Sequence, residues 1–439
     1  MKGEIEINVI GGGLAGVEAA RAISNAGLHA RLYEMRPAVT TPAHATGLLG
    51  ELVCSNSLKS DVEGTASGLL KAEMRLLGSA VLDAAEKHRV PAGSALAVDR
   101  TAFAEELTAT VESDPNIELV REEVVEIPDG TTVVATGPLT SGRFAEALHE
   151  TLGTEQLYFY DAIAPVIEAG SIDMGAAFPA ARYDKGEGDY VNCPLNAEEY
   201  RAFVGELAAA ETAELKDFEE GLFFEGCVPI EELARRGLDT LRFGPFKPVG
   251  LVDPQTGERP YAVVQLRAED AAGNYLGMVG CQTRLKYAEQ ERVFRMVPAL
   301  ANARFIRLGS AHRNTYVNGP TCLAPTLEAL RRPGFFVAGQ LTGVEGYVES
   351  AATGIIAGTN AARVTAGRRP IYPPADTMIG SLLRYVTTGR HDAFVPANAS
   401  YGIMPPAPPE HKGKQAKAKY RRKTGLASLE IWLAGVKQE

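Results

Sequence analysis

The fold is decided by residues 5–34, which read IEINVIGGGLAGVEAARAISNAGLHARLYE. An apolar strand predicted over residues 5–10 runs directly into glycines, and residues 14–26 then continue with helical spacing as far as Gly27, a helix-stop residue. A second strand is predicted over residues 28–34. A strand–helix–strand unit of about thirty residues is typical of a parallel, doubly wound sheet. We therefore predict an α/β fold of the Rossmann type.

The glycines at the start of this helix form a GxGxxG pattern. Gly11 permits a tight turn, Gly13 lets the backbone approach a pyrophosphate, and Gly16 allows the helix to pack closely on the strand. The helix N-terminus contributes free N–H groups and a positive dipole, and Glu34 is spaced to accept from ribose hydroxyls. The pattern predicts a dinucleotide site formed by Gly11, Gly12, Gly13, Leu14, Ala15, Gly16 and Glu34.

Two later segments favour FAD over NAD as the dinucleotide. A strand over residues 131–137 ends in small residues, and residues 334–360 read as an apolar strand, a glycine-rich loop and a small-residue helix. Such turns also occur in doubly wound domains that bind no flavin, so the argument depends on all three segments together. The predicted contacts from these two segments are Ala135, Thr136, Gly137, Gly339, Gln340, Gly346 and Tyr347.

The middle of the chain has a different character. Helices are predicted over residues 67–89, over 99–112 with Asp99 as the cap, and over 197–213. Strand-like runs such as 161–169 lie between them. We predict a glutathione-reductase-like, discontinuous FAD-binding domain with an inserted second α/β domain. The boundaries are residues 1–160 and 325–439 for the first domain and 161–324 for the second.

Composition limits the function classes. The chain has 439 residues, 45% hydrophobic and 23% charged, with no apolar run long enough to cross a membrane. Five widely spaced cysteines without a CxxC pair suit neither a disulfide framework nor a metal site, and they indicate a reducing, cytoplasmic setting. The formal charge of −11 excludes indiscriminate coating of nucleic acid.

One basic segment stands apart from this acidic background. Residues 411–423, HKGKQAKAKYRRK, contain seven Lys or Arg and no acidic residue, and they follow a Pro-rich connector over 396–409. Such a segment is either a solvated tail or a local patch that contacts RNA phosphates.

Six stretches resemble one family, the folate- and FAD-dependent tRNA (uracil-5-)-methyltransferases. The resemblance covers nearly the whole chain. The stretches are YEMRPAVTTPAH (33–44), ELVCSNSLKSD (51–61), FEGCVPIEELARRGLDTLRFGPFKPVGL (224–251), KYAEQERVFRMVP (286–298), HRNTYVNGP (312–320) and AGQLTGVEGYVESAATG (338–354).

This resemblance implies a reaction. The family transfers a one-carbon unit from methylenetetrahydrofolate to the T-loop uridine of tRNA, and NADPH or NADH reduces the flavin. No metal or membrane is implied, and a monomer or weak dimer suits a two-domain flavoprotein. Whether the carbon passes through the flavin or directly from folate is left open.

The chemistry requires a thiolate and a proton acceptor. A thiolate that adds to carbon 6 of uracil makes carbon 5 nucleophilic, and a second group must then remove the carbon 5 proton. Cys227 and Cys54 lie in motifs that resemble the cysteine motifs of the family. We predict Cys227 as nucleophile and Cys54 as general acid/base, with the reverse assignment open. Cys193, Cys281 and Cys322 are interpreted as inert core residues.

Substrate contacts are predicted more loosely, and each has an ordinary structural alternative. Tyr347 offers an aromatic ring to folate or flavin, and Glu345 and His312 are polar candidates for orienting folate or uracil. Arg284 and Lys286 are candidates for phosphate or the folate tail. Candidates for gripping the tRNA T-arm are Arg331, Arg332 and, in the basic segment, Lys417, Lys419, Arg421 and Arg422.

Three alternative functions remain at this stage. A related FAD- and folate-dependent enzyme modifies the wobble uridine of tRNA, but its chain is longer and its cysteine motif differs. A small-molecule flavin oxidoreductase of the disulfide-reductase type would need neighbouring cysteines, which this sequence lacks. A flavin-bound RNA-binding protein without catalysis is the third alternative.

Overall fold

The computed structural model describes residues 6–154, 156–182, 188–213, 223, 228–388 and 394–436, with the backbone alone for residues 156, 159, 312 and 313. The predicted nucleophile Cys227 and the start of its motif lie outside the described residues. The side chain of His312 also lies outside them.

Strands and helices alternate at the start of the chain, and strands dominate its middle. The strands are β1 (Glu6–Ile10), β2 (His29–Tyr33), β3 (Ser57–Ser60), β4 (Arg89–Val90), β5 (Ala95–Val98), β6 (Ile117–Val120), β7 (Thr132–Val134), β8 (Gln156–Ala162), β9 (Val166–Glu168), β10 (Phe178–Pro179), β11 (Tyr190–Leu195), β12 (Ala262–Ala268), β13 (Tyr275–Met278), β14 (Phe305–Arg307), β15 (Ala311–Val317) and β16 (Phe335–Val337). The helices are α1 (Leu14–Asn25), α2 (Ala66–Leu76), α3 (Ala80–Lys87), α4 (Arg100–Glu112), α5 (Gly142–Leu152), α6 (Ala197–Ala209), α7 (Ile230–Arg235), α8 (Thr240–Phe243), α9 (Tyr287–Phe294), α10 (Gly319–Cys322), α11 (Tyr347–Thr365), α12 (Met378–Thr388) and α13 (Lys414–Val436).

A five-stranded parallel sheet, in the order β16-β7-β1-β2-β6, carries the nucleotide-binding signature. The sequence prediction of β1, α1 and β2 is confirmed. Helices α1 and α11 pack on this sheet and on each other very closely, because α11 presents glycines to α1. A Cβ built on Gly354 would lie 2.2 Å from the Ala15 carbonyl oxygen, and one on Gly358 would lie 2.4 Å from that of Ala19.

A second, six-stranded sheet lies between the two parts of the first in the sequence. Its order is β10-β11-β12-β13-β9-β14 and every neighbouring pair is antiparallel. Helices α6, α7 and α9 cover it and share a separate apolar core that includes Phe203, Phe246 and Phe294. We keep the boundaries near residues 160 and 325 as our proposal for the domain division. The ribbon formed by β8 and β15 runs along these boundaries.

Two predicted elements differ from the structure. The helix predicted over residues 67–89 is two helices, because Gly78 takes a left-handed conformation (φ 73°) and the Ser79 side chain caps α3 by accepting from the Leu82 N–H. The strand-like run 161–169 is divided between β8 and β9, which belong to different sheets. The predicted cap at Asp99 is confirmed, since its carboxylate accepts from the N–H groups of Thr101 and Ala102.

The basic segment is largely helical. Its residues from Lys414 onward form the first half of α13, which packs against α2. Among the described helices, none combines the length and the apolarity needed to cross a bilayer.

Candidate active site

A cleft opens at the carboxyl edge of the parallel sheet. Together with its open mouth, it spans about 1060 Å³. The ends of β1, β2, β7 and β16 all reach it, as expected where ligands bind in open α/β sheets. The predicted residues that line the cleft are Gly11, Gly12, Gly13, Leu14, Ala15, Glu34, Ala135, Thr136, Gly137, Gly339, Gln340 and Tyr347.

Three helices begin at this cleft without a side-chain cap. They are α1 after Gly13, α5 after Ser141 and α11 after Gly346. Elsewhere, α2, α3, α4 and α6 are capped by Thr, Ser, Asp and Asn side chains, whereas α7, α8, α9 and α10 also lack a side-chain cap. Uncapped N-termini leave N–H groups and positive dipole ends directed at the cleft. The cleft is therefore suited to a ligand with negative charge, such as a pyrophosphate.

Two glycines of the signature are required by packing. Gly11 has φ 106°, and a Cβ there would lie 2.5 Å from the carbonyl oxygen of Ala135 on the neighbouring strand segment. Gly16 does not line the cleft; a Cβ there would lie 1.7 Å from the Gly11 carbonyl oxygen. Gly16 thus allows α1 to approach β1, the packing role assigned to it from the sequence.

The acid at the end of β2 is held by an arginine. Both oxygens of Glu34 accept from Arg36, one at 2.9 Å and the other at 3.1 Å, and the Gly12 N–H donates to Glu34 at 2.9 Å. Arg36 is only 2% exposed and also pairs with Glu51. Burial opposes ionisation of Glu34, but the hydrogen bonds and charge of Arg36 prevail, and the pKa of the carboxyl is lowered. With the Arg36 backbone N–H, four protein donors already use the carboxylate oxygens, so a ribose hydroxyl at Glu34 would have to share an oxygen with Arg36 or Gly12.

Cys54 lies at one end of the same cleft. It directly follows Val53, which lines the cleft, and its backbone N–H donates to the hydroxyl of Tyr347 at 2.8 Å. The Ser55 N–H donates to the same oxygen at 3.3 Å. The ring of Tyr347 faces the cleft while its hydroxyl anchors the cysteine loop, a second role that its sequence context did not indicate.

The environment of Cys54 favours the thiol over the thiolate. Burial and the nearby carboxyl groups of Asp161 and Glu345 raise the pKa of Cys54, and the charges of Arg100 and Arg307 only partly oppose them. The Sγ atom lies 3.7 Å from the Ala162 carbonyl oxygen. The thiol, not the thiolate, is therefore the favoured form of Cys54 in this environment.

Strands β5 and β12 fix the position of the cysteine segment. The Asn56 amide donates to the carbonyls of Val98 and Ala268, and Arg267 donates to both Asn56 and Ser55. The segment therefore connects the parallel-sheet part of the chain to strand β12 of the second sheet.

The predicted residue Glu345 belongs to a buried ionic network behind Tyr347. Its carboxylate accepts from Gln340 at 2.8 Å, and burial followed by the charge of Asp161 raises its pKa. Lys59 donates to the Glu345 carbonyl and to the fully buried carboxylate of Glu349 at 2.9 Å. Gly346 provides the space, because a Cβ there would lie 2.5 Å from the Lys59 Nζ.

The other substrate candidates lie on the second sheet or on the outer surface. Arg284 donates to Glu232 at 2.6 Å and Lys286 pairs with Glu211 at 2.6 Å, and both line a smaller cavity with Ser310. In α13, Lys417 and Lys419 are exposed, whereas Arg421 donates to the Pro405 carbonyl and Arg422 reaches Glu63.

Arg331 and Arg332 precede β16, at the opposite edge of the sheet from the cleft. Arg332 donates to the Pro128 carbonyl, and Arg331 lies against Gly153. The structure does not bring either residue near Cys54.

The remaining described cysteines are core residues. Cys193 and Cys281 lie in the core of the second sheet, and Cys322 packs beneath β16. Burial raises the pKa of each of the three thiols. No group of three or more His, Cys, Asp or Glu in the described parts of the chain is arranged to hold a metal ion.

Some residues at the site were not singled out from the sequence. Lys59, Arg100, Arg307 and Glu349 gave no local signal, because a lone Arg, Lys or Glu in a motif is usually a surface residue. A usable signal existed for Arg36 alone, since it follows the ribose-binding acid by two positions.

Taken together, the parallel sheet, the glycine loop and the uncapped helices define a dinucleotide-binding protein. A family model described as "Glucose inhibited division protein A" matches residues 6–369. Curated relatives are more specific. The methylenetetrahydrofolate–tRNA-(uracil-5-)-methyltransferase TrmFO of Moorella thermoacetica is 53% identical over 97% of both chains, and that of Aquifex aeolicus is 52% identical over 98% of this chain and 96% of its own. The chain belongs to the TrmFO family of tRNA (uracil-5-)-methyltransferases.

Solved structures support the fold. GidA of Aquifex aeolicus in its form I crystal superposes with a TM-score of 0.71 at 21% identity, covering 97% of this chain and 76% of that one. The form II crystal gives a TM-score of 0.70. The predicted fold class is confirmed by this likeness.

Proposed function

We propose that this protein methylates carbon 5 of the T-loop uridine of tRNA, with methylenetetrahydrofolate as carbon donor, FAD as bound cofactor and NADPH or NADH as reductant. The observation that carries the proposal is the bond from the Cys54 N–H to Tyr347, a residue that lines the dinucleotide cleft. It sets a thiol at the end of a cleft whose shape and polarity suit FAD. The proposal is also supported by the two methyltransferases named above, which are 53% and 52% identical to this chain over 97% and 98% of its length.

The residues present fit the cofactor. The uncapped starts of α1, α5 and α11 would face its phosphates, and the ionised Glu34 would accept from the adenosine ribose. When bound, reduced flavin supplies the hydride equivalents that convert a methylene carbon to a methyl group.

The protein's own part in the reaction is nucleophilic and acid–base catalysis. The Cys227 thiolate adds to carbon 6 of the uracil, and carbon 5 then attacks the one-carbon unit, whose bond to its carrier breaks as the new carbon–carbon bond forms. Cys54 acts first as general acid, giving its proton to the departing carrier, and then as general base, accepting the carbon 5 proton while the bond from sulfur to carbon 6 breaks to release the product. The raised pKa of Cys54 fits this order, because a thiol that holds its proton can act first as an acid, whereas a nucleophile requires a lowered pKa.

Substrate delivery requires RNA contacts beyond the cleft. The uridine must leave its stack to reach Cys54, and cations on the rim would hold the backbone. Lys417 and Lys419 on α13 are exposed and available for that contact, and we include Arg421 and Arg422 with them. Arg284, Lys286, His312 and Glu345 remain candidates for folate or uracil.

The test is an assay with flavin-loaded protein, an unmodified tRNA transcript, NADPH and carbon-labelled methylenetetrahydrofolate. We expect label in T-loop 5-methyluridine, and its loss in C54S and C227S. C322S is the matched control, because Cys322 is buried away from the cleft and donates to the Asn318 carbonyl at 3.4 Å. Unlabelled tRNA from protein that still oxidises NADPH would contradict the proposal and favour a small-molecule oxidoreductase. Label at the wobble uridine would favour the related modification enzyme.

A further inference from the structure

A second cavity lies beside the cysteine loop, outside the dinucleotide cleft. It encloses about 740 Å³. One wall comes from the loop that follows β2, and the other from the segments around β9, β14 and α9. The residues that matter for its chemistry are Pro42, Ala43, Tyr287, Ile306, Arg307 and Ser310.

Arg307 is a cation in this cavity without a protein counterion in the described part of the chain. Its Nη2 donates to the Cys54 carbonyl oxygen at 3.3 Å, and its buried Nε has no acceptor. The nearby carboxylate of Glu269 is already bonded to Arg100 through two nitrogens. Burial and the charge of Arg100 lower the pKa of Arg307, as expected for an uncompensated cation.

The environment of Arg307 favours the binding of an oxyanion. A partly buried guanidinium with a free N–H costs free energy that a phosphate or carboxylate would offset. Because Arg307 contacts the backbone of Cys54, the anion would lie next to the reacting base rather than at a remote site.

An exposed aromatic ring accompanies the cation. Tyr287, the first residue of α9, is 62% exposed, and Ile306 beside it is 50% exposed. Both residues line the cavity with Arg307, so a ligand bound to the guanidinium would also cover part of their exposed apolar surface. A cation with an exposed ring is the combination that binds single-stranded nucleic acid, through phosphate contact and base stacking.

We propose that this cavity binds the nucleotide adjacent to the uridine that is methylated, with its phosphate on Arg307 and its base on Tyr287. The inference rests on the proposed function, because it takes a flipped uridine at Cys54 as given. Extruding one base distorts the backbone on either side, and a clamp on the neighbouring nucleotide holds that distorted form. Folate also carries carboxylates and aromatic rings, so the measurements below compare tRNA binding with the KM for methylenetetrahydrofolate to distinguish the two ligands.

The two contacts differ in their dependence on salt, which makes the proposal testable. Binding of a labelled, unmodified tRNA transcript to flavin-loaded protein is measured by anisotropy between about 50 and 200 mM salt. R307Q should weaken binding roughly ten-fold and lower the slope of log affinity against log salt by about one. Y287A should weaken binding at least about five-fold with an unchanged slope, and Y287F should bind like the wild type.

R292Q is the matched control. Arg292 lies on the same helix as Tyr287 but outside the cavity, paired with Glu206 and Glu289. Its removal should leave affinity and slope unchanged. R307K should keep the slope and lose part of the affinity, since it retains the charge without the planar fork.

Two results would overturn the proposal. One is a Y287A protein that binds tRNA with the affinity and salt slope of the wild type. Because the ring of Tyr287 is exposed, Y287A should fold normally, so this test stands even if an Arg307 variant fails to fold. The other is a raised KM of R307Q for methylenetetrahydrofolate with intact tRNA binding, which would assign the cavity to a folate carboxylate. Failure of the methylation proposal shows itself separately, as absence of 5-methyluridine with wild-type protein.

Discussion

The hydroxyl of Tyr347 accepts the backbone N–H of Cys54 at 2.8 Å, although 293 positions separate the two residues in the chain. Tyr347 begins α11, so its position is fixed by a 19-residue helix buried against α1. Asn56 and Ser55 connect the rest of the cysteine loop to β5 and β12, whereas the N–H of Cys54 itself is held by Tyr347. The position of the thiol at the cleft therefore depends on the first residue of a distant helix.

Y347F should separate positioning from binding. Loss of the hydroxyl leaves the N–H groups of Cys54 and Ser55 without their acceptor, at a cost of about 1–3 kcal/mol if both stay buried. The loop then shifts, and methylation should fall by roughly a hundred-fold. Flavin absorbance per protein should be unchanged, because the ring remains. Y372F, at a half-exposed tyrosine, is the control, and equal activity of the two variants would contradict the positioning role.

The packing role of Gly16 predicts a coupled loss of stability and flavin. In G16A the added Cβ meets the Gly11 carbonyl 1.7 Å away, so α1 must move from β1. We expect a cost of about 1–3 kcal/mol or more and a lower flavin content. The measurements are the thermal unfolding midpoint and the ratio of flavin to protein absorbance.

G205A is the matched control for that substitution. Gly205 lies within α6, and a Cβ there meets no atom within 4 Å. Alanine should stabilise the helix by about 0.5–1 kcal/mol with full flavin content. A G16A protein that keeps both its midpoint and its flavin would remove the basis for the packing argument.

The sequence predicted the local motif that many dinucleotide-binding proteins share, but it did not predict the contacts between distant residues that are specific to this protein. The spacing of Gly11, Gly16 and Glu34 predicted the first strand–helix–strand unit, because that geometry is local. The bond between Tyr347 and Cys54 depends on a contact across the chain, which no local pattern encodes. The break between α2 and α3 was predictable, since Gly78 followed by Ser79 is an ordinary stop and cap that the long apolar pattern obscured.

The ion pair of Lys59 and Glu349 predicts a non-additive double variant. Glu349 is fully buried, while Lys59 is 37% exposed and holds a left-handed backbone (φ 62°). K59M leaves a buried carboxylate without its cation and should lower the free energy of unfolding by about 1–3 kcal/mol, less than for a fully buried pair. The loss in free energy of unfolding of K59M/E349Q should be smaller, by at least about 0.5 kcal/mol, than the sum of the losses of K59M and E349Q.

Urea unfolding of the flavin-loaded variants checks this prediction. Additive losses would show that the pair contributes no coupling. The same variants also report on the site, because Lys59 bonds the Glu345 carbonyl next to Gly346 and Tyr347. We expect the double variant to regain stability without regaining full methylation.

The buried carboxyl of Glu73 predicts how stability depends on pH. Its two oxygens accept from the N–H groups of Met378 and Ile379 at the start of α12, and burial raises its pKa to about 8. Between about pH 4.5 and pH 8 the unfolded chain loses this proton while the folded chain keeps it, so the contribution of Glu73 to stability falls as pH rises. E73Q cannot ionise. The free energy of unfolding of the wild type minus that of E73Q should therefore decrease from pH 5 to pH 8 and level off above it. E112Q, on the exposed end of α4, is the control and should show no such trend. If the difference between wild type and E73Q instead grows with pH, Glu73 is ionised in the folded protein as a cap of α12.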